Sequence, residues 1–277
     1  MFTKIKNYIP TPIFLKLKYL KKTGRFLRLK KPQTFDEKIN YLKIYDDLDI
    51  KTELEDKLKA KEFVASKIGG KYIIPTLKVL DVKKPFREQL NNLNKFILKT
   101  NFESGVVYYC ENPKDFDFTS VQKNIINSYK DNFHMQGREM HYSRIKKECF
   151  AEKLLDQHQE LLDYKFYCFN GQPRYVHVDR NLKSNPTQSF YDMNWEKIKG
   201  LSRGYKYDEK SLKIPNNFDE MKFIATELST NLKFVRVDLY NHLGEILFGE
   251  MTFYPASGFQ KFSIKNYDYE FGKYIKL

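Results

Sequence analysis

Two strand-like segments joined by Asn170-Gly171 constrain the fold of this chain most. The segments are 164–169 and 174–178, and Asn-Gly between two strand-like segments is a strong short-range signal for a two-residue β-hairpin turn. A second pair, 234–240 and 245–252, lies near the C-terminus. Both pairs predict antiparallel strands. We therefore expect an α+β fold that is dominated by antiparallel hairpins.

Helical segments are predicted between the hairpins. Thr34-Phe35-Asp36-Glu37 has the capping-box pattern of a helix start, and we expect this helix to end near Asp46. Three further helices are expected at about 50–67, 120–130 and 217–231. The remaining strand predictions are 72–75, the two arms of a strand-turn-strand unit within 95–110, and 149–152.

Composition favours a folded protein. The chain has 277 residues, of which 41% are hydrophobic, so it can bury a substantial core. Its apolar runs are interrupted by charge well before the roughly 18 residues that a membrane span needs, and no secretory signal is evident. We expect a cytoplasmic protein. Its three cysteines show no zinc-type spacing, and we interpret them as reduced core thiols.

The net charge of +14 is unevenly distributed. Residues 1–35 contain ten Lys or Arg and no acid. With apolar residues between the lysines, segment 1–31 could contact anionic lipid headgroups as a peripheral membrane element. The alternative is a solvated arm that packs a few apolar side chains on the body. Nucleic acid is an unlikely partner, because the rest of the chain carries little net charge and no recognisable RNA or DNA motif.

The C-terminal hairpin carries two acidic residues that can face each other. Asp238 and Glu250 lie on its two strands and can project side by side from one face. Two such carboxylates repel unless a positive group lies between them, and either Arg236 or a magnesium ion fits that requirement. From these residues alone, a metal site and a surface ion pair are both open.

Lys99 ends an apolar strand and is followed by a loop that contains Ser104 and Gly105. Its ammonium would then lie beside free backbone amides that can receive phosphate oxygens. Lys57 is helical and, taken alone, would be solvated. Glu152 leaves a buried strand whose backbone could bind the edge of an adenine. The order of these features along the chain is more informative than any one of them.

At this point the sequence resembles the ATP-grasp superfamily, and in detail the teichuronopeptide-biosynthesis (TupA-like) family found among bacterial surface-polysaccharide genes. The likeness runs from about Lys31 to Leu277. It is carried by these ordered motifs: Lys31 to Lys38, Asp56-Lys57, Phe96 to Lys99, Gly137-Arg138-Glu139, Asp163 to Phe166 with Phe169-Asn170-Gly171, Phe190-Tyr191-Asp192, and Phe234 to Tyr240 with Gly249 to Pro255.

The resemblance implies an ATP-grasp fold, in which antiparallel sheets with flanking helices form a nucleotide cleft. It implies four segments: a basic arm at 1–34, an N-terminal lobe at 35–84, a small lobe with the phosphate loop at 85–155, and a C-terminal lobe with the metal site at 156–277. ATP and magnesium are the implied cofactors.

The resemblance also implies a role for each matching residue. Groups that bind ATP are Lys57, Lys99, Ser104, Gly105, Glu152, Lys153, Leu154, Leu155, Asp163 and Lys165. Magnesium would be bound by Asp238 and Glu250, with Thr252 where many members have Asn. Arg236 and Lys99 would stabilise the transferred phosphoryl group. Candidate substrate-binding residues are Arg138, Arg180, Tyr254 and Ser257.

One position departs from the family pattern. The loop after Lys99 is usually of the His-Gly-Ser-Gly type, whereas here Glu103 precedes Ser104. A carboxylate a few ångströms from a triphosphate is repulsive by about 1 to 4 kcal/mol, unless it points away or meets a cation. This residue favours an alternative in which the chain is a noncatalytic glycan- or membrane-binding relative.

The predicted activity is ATP-dependent amide-bond formation through an acylphosphate. The expected substrates are a small-molecule or lipid-linked acidic sugar, such as a uronic acid, and an amino acid or amine. A glycosyltransferase is the other alternative, because Asp115-Phe116-Asp117 has the Asp-x-Asp form of metal-dependent sugar transferases.

Overall fold

A computed structural model describes residues 8–155, 162–180 and 184–277. The first part of the basic arm, with Lys4 and Lys6, lies outside the described residues. The described residues form two sheets with helices around them, as the α+β prediction requires.

The smaller sheet has four antiparallel strands in the order β1-β4-β2-β3. The larger sheet has six strands in the order β10-β9-β5-β6-β7-β8, antiparallel except for the short β7-β8 pair. The strands are β1 Thr76–Leu80, β2 Phe96–Thr100, β3 Val107–Cys110, β4 Cys149–Lys153, β5 Leu162–Phe169, β6 Gln172–Arg180, β7 Thr187–Asp192, β8 Lys206–Tyr207, β9 Phe234–His242 and β10 Glu245–Thr252.

Helices join and cover the two sheets. They are α1 Thr11–Thr23, α2 Phe35–Tyr45, α3 Asp49–Glu55, α4 Lys57–Ile68, α5 Phe86–Gln89, α6 Phe118–Lys130, α7 Phe133–Gly137, α8 Phe218–Ser229 and α9 Lys265–Tyr274. Short 3-10 turns occur at Gly70–Tyr72, Met140–Arg144 and Pro255–Gly258.

The six-stranded sheet has two different faces because successive side chains of a strand point in opposite directions. On one face, Phe166 and Cys168 of β5 pack against α8. On the other face, Tyr167 and Phe169 are covered by Phe271 of α9. The second face also carries Asp163 and Lys165, which lie nearer the start of β5. This face is therefore apolar towards the end of β5 and polar towards its start.

Two smaller cores complete the structure. The four-stranded sheet packs its apolar side chains against α5 and α6. In the basic arm, Leu15 and Tyr19 of α1 are buried against Leu27, Leu29 and Phe259. This part of the arm therefore packs on the body. Among the described residues, no helix is both long and apolar enough to cross a bilayer.

Several local predictions are confirmed. Helix α2 has the expected capping box, in which Thr34 and Glu37 each accept from the other's backbone N–H. The hairpin of β5 and β6 turns at Asn170-Gly171, both with positive φ as a type I′ turn requires. Cys110, Cys149 and Cys168 are buried free thiols.

Two boundaries were predicted wrongly. The stretch expected to be one helix at 50–67 is broken at Asp56, whose backbone is extended and whose carboxylate accepts from the N–H groups of Leu58 and Lys59. It is the N-cap of a new helix. The strand expected at 72–75 begins instead at Thr76, because residues 70–72 form a 3-10 turn and Pro75 has no N–H to donate.

The capping box makes a stability prediction. Replacing the buried Thr34 with Ala removes the acceptor for the Glu37 N–H, and we expect the free energy of unfolding to fall by about 1 kcal/mol. Urea denaturation measures the change. Ser66→Ala is the control, since that exposed hydroxyl bonds only within its own helix and should change stability by less than about 0.5 kcal/mol. Equal losses in both variants would contradict the assignment.

Candidate active site

The polar region of the six-stranded sheet is built by alternate residues of adjacent strands. On β5 these are Asp163 and Lys165, and on β9 they are Arg236, Asp238 and Tyr240. The register places Lys165 opposite Asp238 and Asp163 opposite Tyr240. The Lys165 ammonium contacts the Asp163 carboxylate and lies 3.3 Å from Asp238 Oδ2. Charges of both signs therefore alternate across the two strands.

Three oxygen ligands converge on one nitrogen of Arg236. Its Nη2 lies 2.6 Å from Asp238 Oδ2, 3.2 Å from Glu250 Oε1 and 3.1 Å from Thr252 Oγ1. A β-bulge at Gly249 brings Glu250 directly opposite Asp238. A Cβ on Gly249 would lie 3.1 Å from the Asp238 carbonyl oxygen, so glycine allows this close approach.

This arrangement determines which groups are charged. Burial opposes ionisation of Asp238, but Arg236 and Lys165 outweigh it and lower the pKa of this carboxyl. For Asp163, burial and the neighbouring Asp238 charge raise the pKa to about 6, against the attraction of Lys165. Burial likewise opposes the charge on Lys165, yet Asp163 and Asp238 raise its pKa above the ordinary value.

Lysines line the opposite side of the region, on α4 and the four-stranded sheet. Lys57 donates to the backbone carbonyl of Glu103. Lys99 and Lys61 bind the two oxygens of the buried Glu152 carboxylate. Burial lowers the pKa of Lys57, and the neighbouring Lys99 adds to this effect, whereas Glu250 opposes it. A ligand with several anionic oxygens would compete for these ammonium groups.

The loop after Lys99 is fixed to the start of α4. The Asn101 side chain donates to Asp56, and the Lys57 N–H donates to the Asn101 carbonyl. Glu103 is buried, and its carboxylate accepts from the Thr100 hydroxyl 3.0 Å away. Ser104 and Gly105 at the loop tip are exposed. The backbone of the tip is thus accessible to a ligand.

Lys57, Ser104, Glu250 and Thr252 line one cavity between the loop and the C-terminal hairpin. Tyr240 is largely surrounded by acidic groups. Burial raises the pKa of its hydroxyl well above the ordinary value, and the carboxylates of Asp163, Glu250, Asp238 and Glu152 add to the effect. Sequence reasoning did not single out Tyr240, although its alternation with Asp238 was a usable signal.

The segment predicted to bind adenine lies at the end of β4. Glu152 is buried against the two lysines, and the Lys153 N–H donates to the Pro75 carbonyl. Leu154 and Leu155 follow the strand and are half-buried. Leu154 and Leu155 lie beyond the end of β4. Within this segment, their backbone groups are therefore the better candidates to hydrogen-bond to an adenine base.

The predicted substrate residues are engaged in other contacts. Arg138 donates to the Ile9 carbonyl and lies over Phe14, so it holds α1. Arg180 pairs with Asp208. The Tyr254 hydroxyl lies 3.4 Å from the Leu42 carbonyl oxygen, and Ser257 donates to Glu139. The structure thus does not bring these four side chains together.

A second cavity of about 250 Å³ adjoins the charged cluster and was not anticipated from the sequence. Its lining includes Lys165 and Arg236 of the cluster, together with His177, Asp179 and Arg203. His177 and Asp179 alternate on β6 as Asp163 and Lys165 do on β5, which is a signal that sequence reasoning missed. Arg203 lies in a loop that no periodic pattern marks.

The donor set fits a magnesium ion. Carboxylate and hydroxyl oxygens are the ligands that this hard cation prefers. Asp238, Glu250 and Thr252 already converge on a single cationic atom, the Arg236 Nη2. The same three residues can therefore direct oxygens at one point when the Arg236 guanidinium is displaced from it.

Comparison with known proteins identifies the fold and the family. The family model for TupA-like ATP-grasp proteins matches residues 37–276, so the chain belongs to the TupA-like ATP-grasp family. A search of curated proteins found no match. This membership establishes an ATP-grasp fold for the chain.

Similar solved structures are ATP-grasp ligases at low identity. The D-alanine–D-alanine ligase from Helicobacter pylori is 14% identical, with a TM-score of 0.45 over 87% of this chain and 69% of that one. The corresponding Bacillus anthracis enzyme is 13% identical, with a TM-score of 0.43 over 72% of this chain and 57% of its own. N5-carboxyaminoimidazole synthetase from Staphylococcus aureus is 15% identical, with a TM-score of 0.38 over 72% and 44%. The chain thus spans about half the length of the latter two.

The convergence at Arg236 makes a metal-binding prediction. Mg-ADP should raise the melting temperature of the protein more than ADP does in the presence of EDTA, because a ligand that binds the folded state stabilises it. In Glu250→Gln this magnesium-dependent increment should be lost, since one charged oxygen ligand becomes a neutral amide. Differential scanning fluorimetry measures both values.

The matched control is Glu245→Gln, which alters the exposed first residue of the same strand. This variant should keep the full increment. A magnesium-dependent increment that survives in Glu250→Gln would place the metal elsewhere.

Proposed function

We propose that this protein is an ATP- and magnesium-dependent carboxylate–amine ligase. The observation that carries the proposal is the convergence of Asp238, Glu250 and Thr252 on the Arg236 guanidinium, across a cavity from Lys57. Phosphoryl transfer requires cations around the transferred group more than it requires a nucleophilic side chain. The cluster supplies cations on one side and metal-binding oxygens on the other.

In this proposal, ATP is a substrate. A carboxylate oxygen of the first substrate attacks the γ-phosphorus, the bond to the ADP oxygen breaks, and an acylphosphate forms. The amine nitrogen of the second substrate then attacks the acyl carbon, releases inorganic phosphate and loses a proton, which leaves an amide. A bound magnesium ion would supply charge neutralisation at the phosphoryl oxygens.

The protein's own groups have definite parts in these steps. Lys57 and Lys99 bind phosphate oxygens, with the backbone of Ser104 and Gly105. Asp238 and Glu250 would hold the metal, and Arg236, displaced from between them, would face the transferred group. Lys165 holds Asp163 and Asp238 in their ionised arrangement. Cationic groups directed at the transferred phosphoryl group stabilise the charge that develops on its oxygens.

A sugar-linked carboxylate, such as a uronic acid, is our proposed first substrate, and an amino acid or amine is the second. The support is the resemblance to the teichuronopeptide-biosynthesis family, and the site of action would be bacterial surface-polysaccharide assembly. A glycosyltransferase is disfavoured because both residues of the Asp-x-Asp pair are used in local contacts. Asp117 caps helix α6, and Asp115 accepts from Asn112.

The proposal predicts an ATPase that depends on both substrates. ADP release in the presence of magnesium, a uronic acid and an amine should fall about a hundredfold in Lys99→Ala, because a cation that stabilises the transferred phosphoryl group is lost. A coupled pyruvate kinase assay measures it. Lys95→Ala is the control, since this exposed lysine precedes the same strand. Consumption of a nucleotide sugar without ATP would instead support a transferase.

We further propose that α1 contacts an anionic membrane surface. Leu15 and Tyr19 are buried on its inner side, yet Ile13, Leu17 and Leu20 recur at helical spacing and remain 52%, 57% and 38% exposed. Exposed lysines lie on either side of this stripe, at positions 16 and 21. An apolar stripe flanked by lysines suits the interface of an anionic bilayer.

Vesicle cosedimentation tests this contact. The protein should bind phosphatidylglycerol-containing vesicles better than phosphatidylcholine vesicles, and Leu17→Glu should weaken binding by about tenfold. Phe223→Glu is the control, because Phe223 is 58% exposed on α8 rather than on α1. Equal binding by both variants would argue against α1 as the contact.

A further inference from the structure

Glu152 is a buried carboxylate that two lysines share. It lies on β4, between β1 and β2, and is only 3% exposed. One of its oxygens accepts from Lys99 of β2, and the other accepts from Lys61 of α4. Two positive charges therefore face one negative charge, so the three side chains together carry an excess of positive charge.

The two lysines differ in how firmly they are held. The Lys61 ammonium also donates to the Ile74 carbonyl at 2.8 Å and to the Thr76 hydroxyl at 3.1 Å, and its side chain is 11% exposed. Among the described residues, the Lys99 ammonium donates to Glu152 alone, and its side chain is 20% exposed. Of the two, Lys99 is therefore the lysine that can turn to a ligand, whereas Lys61 is fixed.

Helix α4 brings Lys61 to this position. Lys57 and Lys61 are four residues apart, so they lie one turn from each other on the same face of the helix. Lys57 reaches the loop after β2 and lines the cavity beside the C-terminal hairpin. Lys61, one turn further along, reaches Glu152, and its nitrogen lies 5.3 Å from the centre of the Phe150 ring. One face of α4 thus serves both the loop and the buried carboxylate.

The requirement of a buried carboxylate for a cation restricts Lys99. If Lys99 moves from Glu152 to a phosphate oxygen, Lys61 remains as the counter-ion, so no buried charge is left without compensation. Without Lys61, the same movement would leave Glu152 uncompensated within the described structure, which is costly. Phosphate could then recruit Lys99 only against that cost.

Repulsion between the two lysines also favours the movement. Burial lowers the pKa of Lys61, and the charge on Lys99 adds to this effect, against the attraction of Glu152. The two ammonium groups therefore destabilise each other at a shared carboxylate. A second anion that accepts one of them relieves this repulsion.

We propose that Lys61 is a positioning residue, which neutralises Glu152 and thereby releases Lys99 to bind the phosphate chain of the nucleotide. The inference rests on the proposed ligase function, in which Lys99 is a phosphate-binding group. Lys61 itself does not touch the nucleotide and acts through Glu152 and Lys99. Its acceptors at Ile74 and Thr76 keep it in place when Lys99 leaves.

Titration calorimetry of the full chain with Mg-ADP tests this role. Lys61→Met should weaken binding about tenfold, because Lys99 must then stay with Glu152. In a Glu152→Gln background the same substitution should change the affinity less than about twofold, since no buried carboxylate remains to retain Lys99. Lys67→Met is the matched control, which removes an exposed lysine from the same helix and should bind Mg-ADP as the wild type does.

Adenosine separates this role from general damage to the site. It has no phosphate, so it should bind Lys61→Met and the wild type equally. A parallel loss of adenosine and Mg-ADP affinity would overturn the proposal. Unchanged Mg-ADP binding in Lys61→Met would also overturn it.

Equal weakening of Mg-ADP binding by Lys61→Met in both backgrounds would mean that Lys61 contacts the nucleotide itself, which contradicts the proposal. If Lys61→Met alone does not fold, the comparison of Glu152→Gln with the double variant still decides. Weaker binding by the double variant would overturn the role of Lys61, and equal binding would support it.

Failure of this role differs from failure of the ligase function. A wild-type chain that binds no Mg-ADP would contradict the nucleotide site, and with it both proposals. Mg-ADP binding by the wild type that is unaffected in Lys61→Met would retain the nucleotide site and reject only the role of Lys61.

Discussion

The ion cluster formed by Arg236, Asp238 and Lys165 is the interaction on which the rest of this structure depends. All three side chains are largely buried, and a buried charge is costly unless it is paired. Removing one member would leave the others uncompensated, at a cost of roughly 3–5 kcal/mol. The cluster therefore fixes the register of β5 against β9, since a slip of one residue would turn these charges to the apolar face.

This constraint couples the fold to the chemistry. The period of two along each strand directs Phe166 and Val237 to the core under α8, and it directs Lys165 and Asp238 to the cleft. The bulge at Gly249 then adjusts β10 so that Glu250 meets Asp238. A single sheet thus supplies both the largest core of the molecule and its charged cleft, and neither can change register without the other.

The parts that sequence reasoning predicted well are those determined by local pattern. Both hairpins, the capping box at Thr34 and the pairing of Asp238 with Glu250 follow from residues within about fifteen positions of each other. The parts that it missed depend on distant contacts. The position of Arg203 is fixed by Asp36 and by two aromatic rings, and all three lie far from Arg203 in the sequence.

Arg138 shows the converse error. Its motif suggested a substrate contact, whereas its guanidinium is used by Ile9 and Phe14 of the N-terminal segment. A motif identifies a residue type at a position, but the partner of a long flexible side chain is decided by whichever segment packs beside it. The guanidinium of arginine can donate to many kinds of acceptor. Local sequence is therefore a weak guide to the function of an arginine.

Glu103 shows how a position that departs from the family pattern can be compatible with an anionic ligand. Its carboxylate is turned onto the Thr100 hydroxyl and is buried, while its backbone carbonyl accepts from Lys57. The exposed tip of the loop is formed by Ser104 and Gly105, which carry no charge. Repulsion between two charges decreases as they are separated, and Lys57 lies close to this residue. The side chain that seemed to oppose nucleotide binding thus serves to shape the loop, and the electrostatic objection to an ATP site is weakened by the conformation of the residue that raised it.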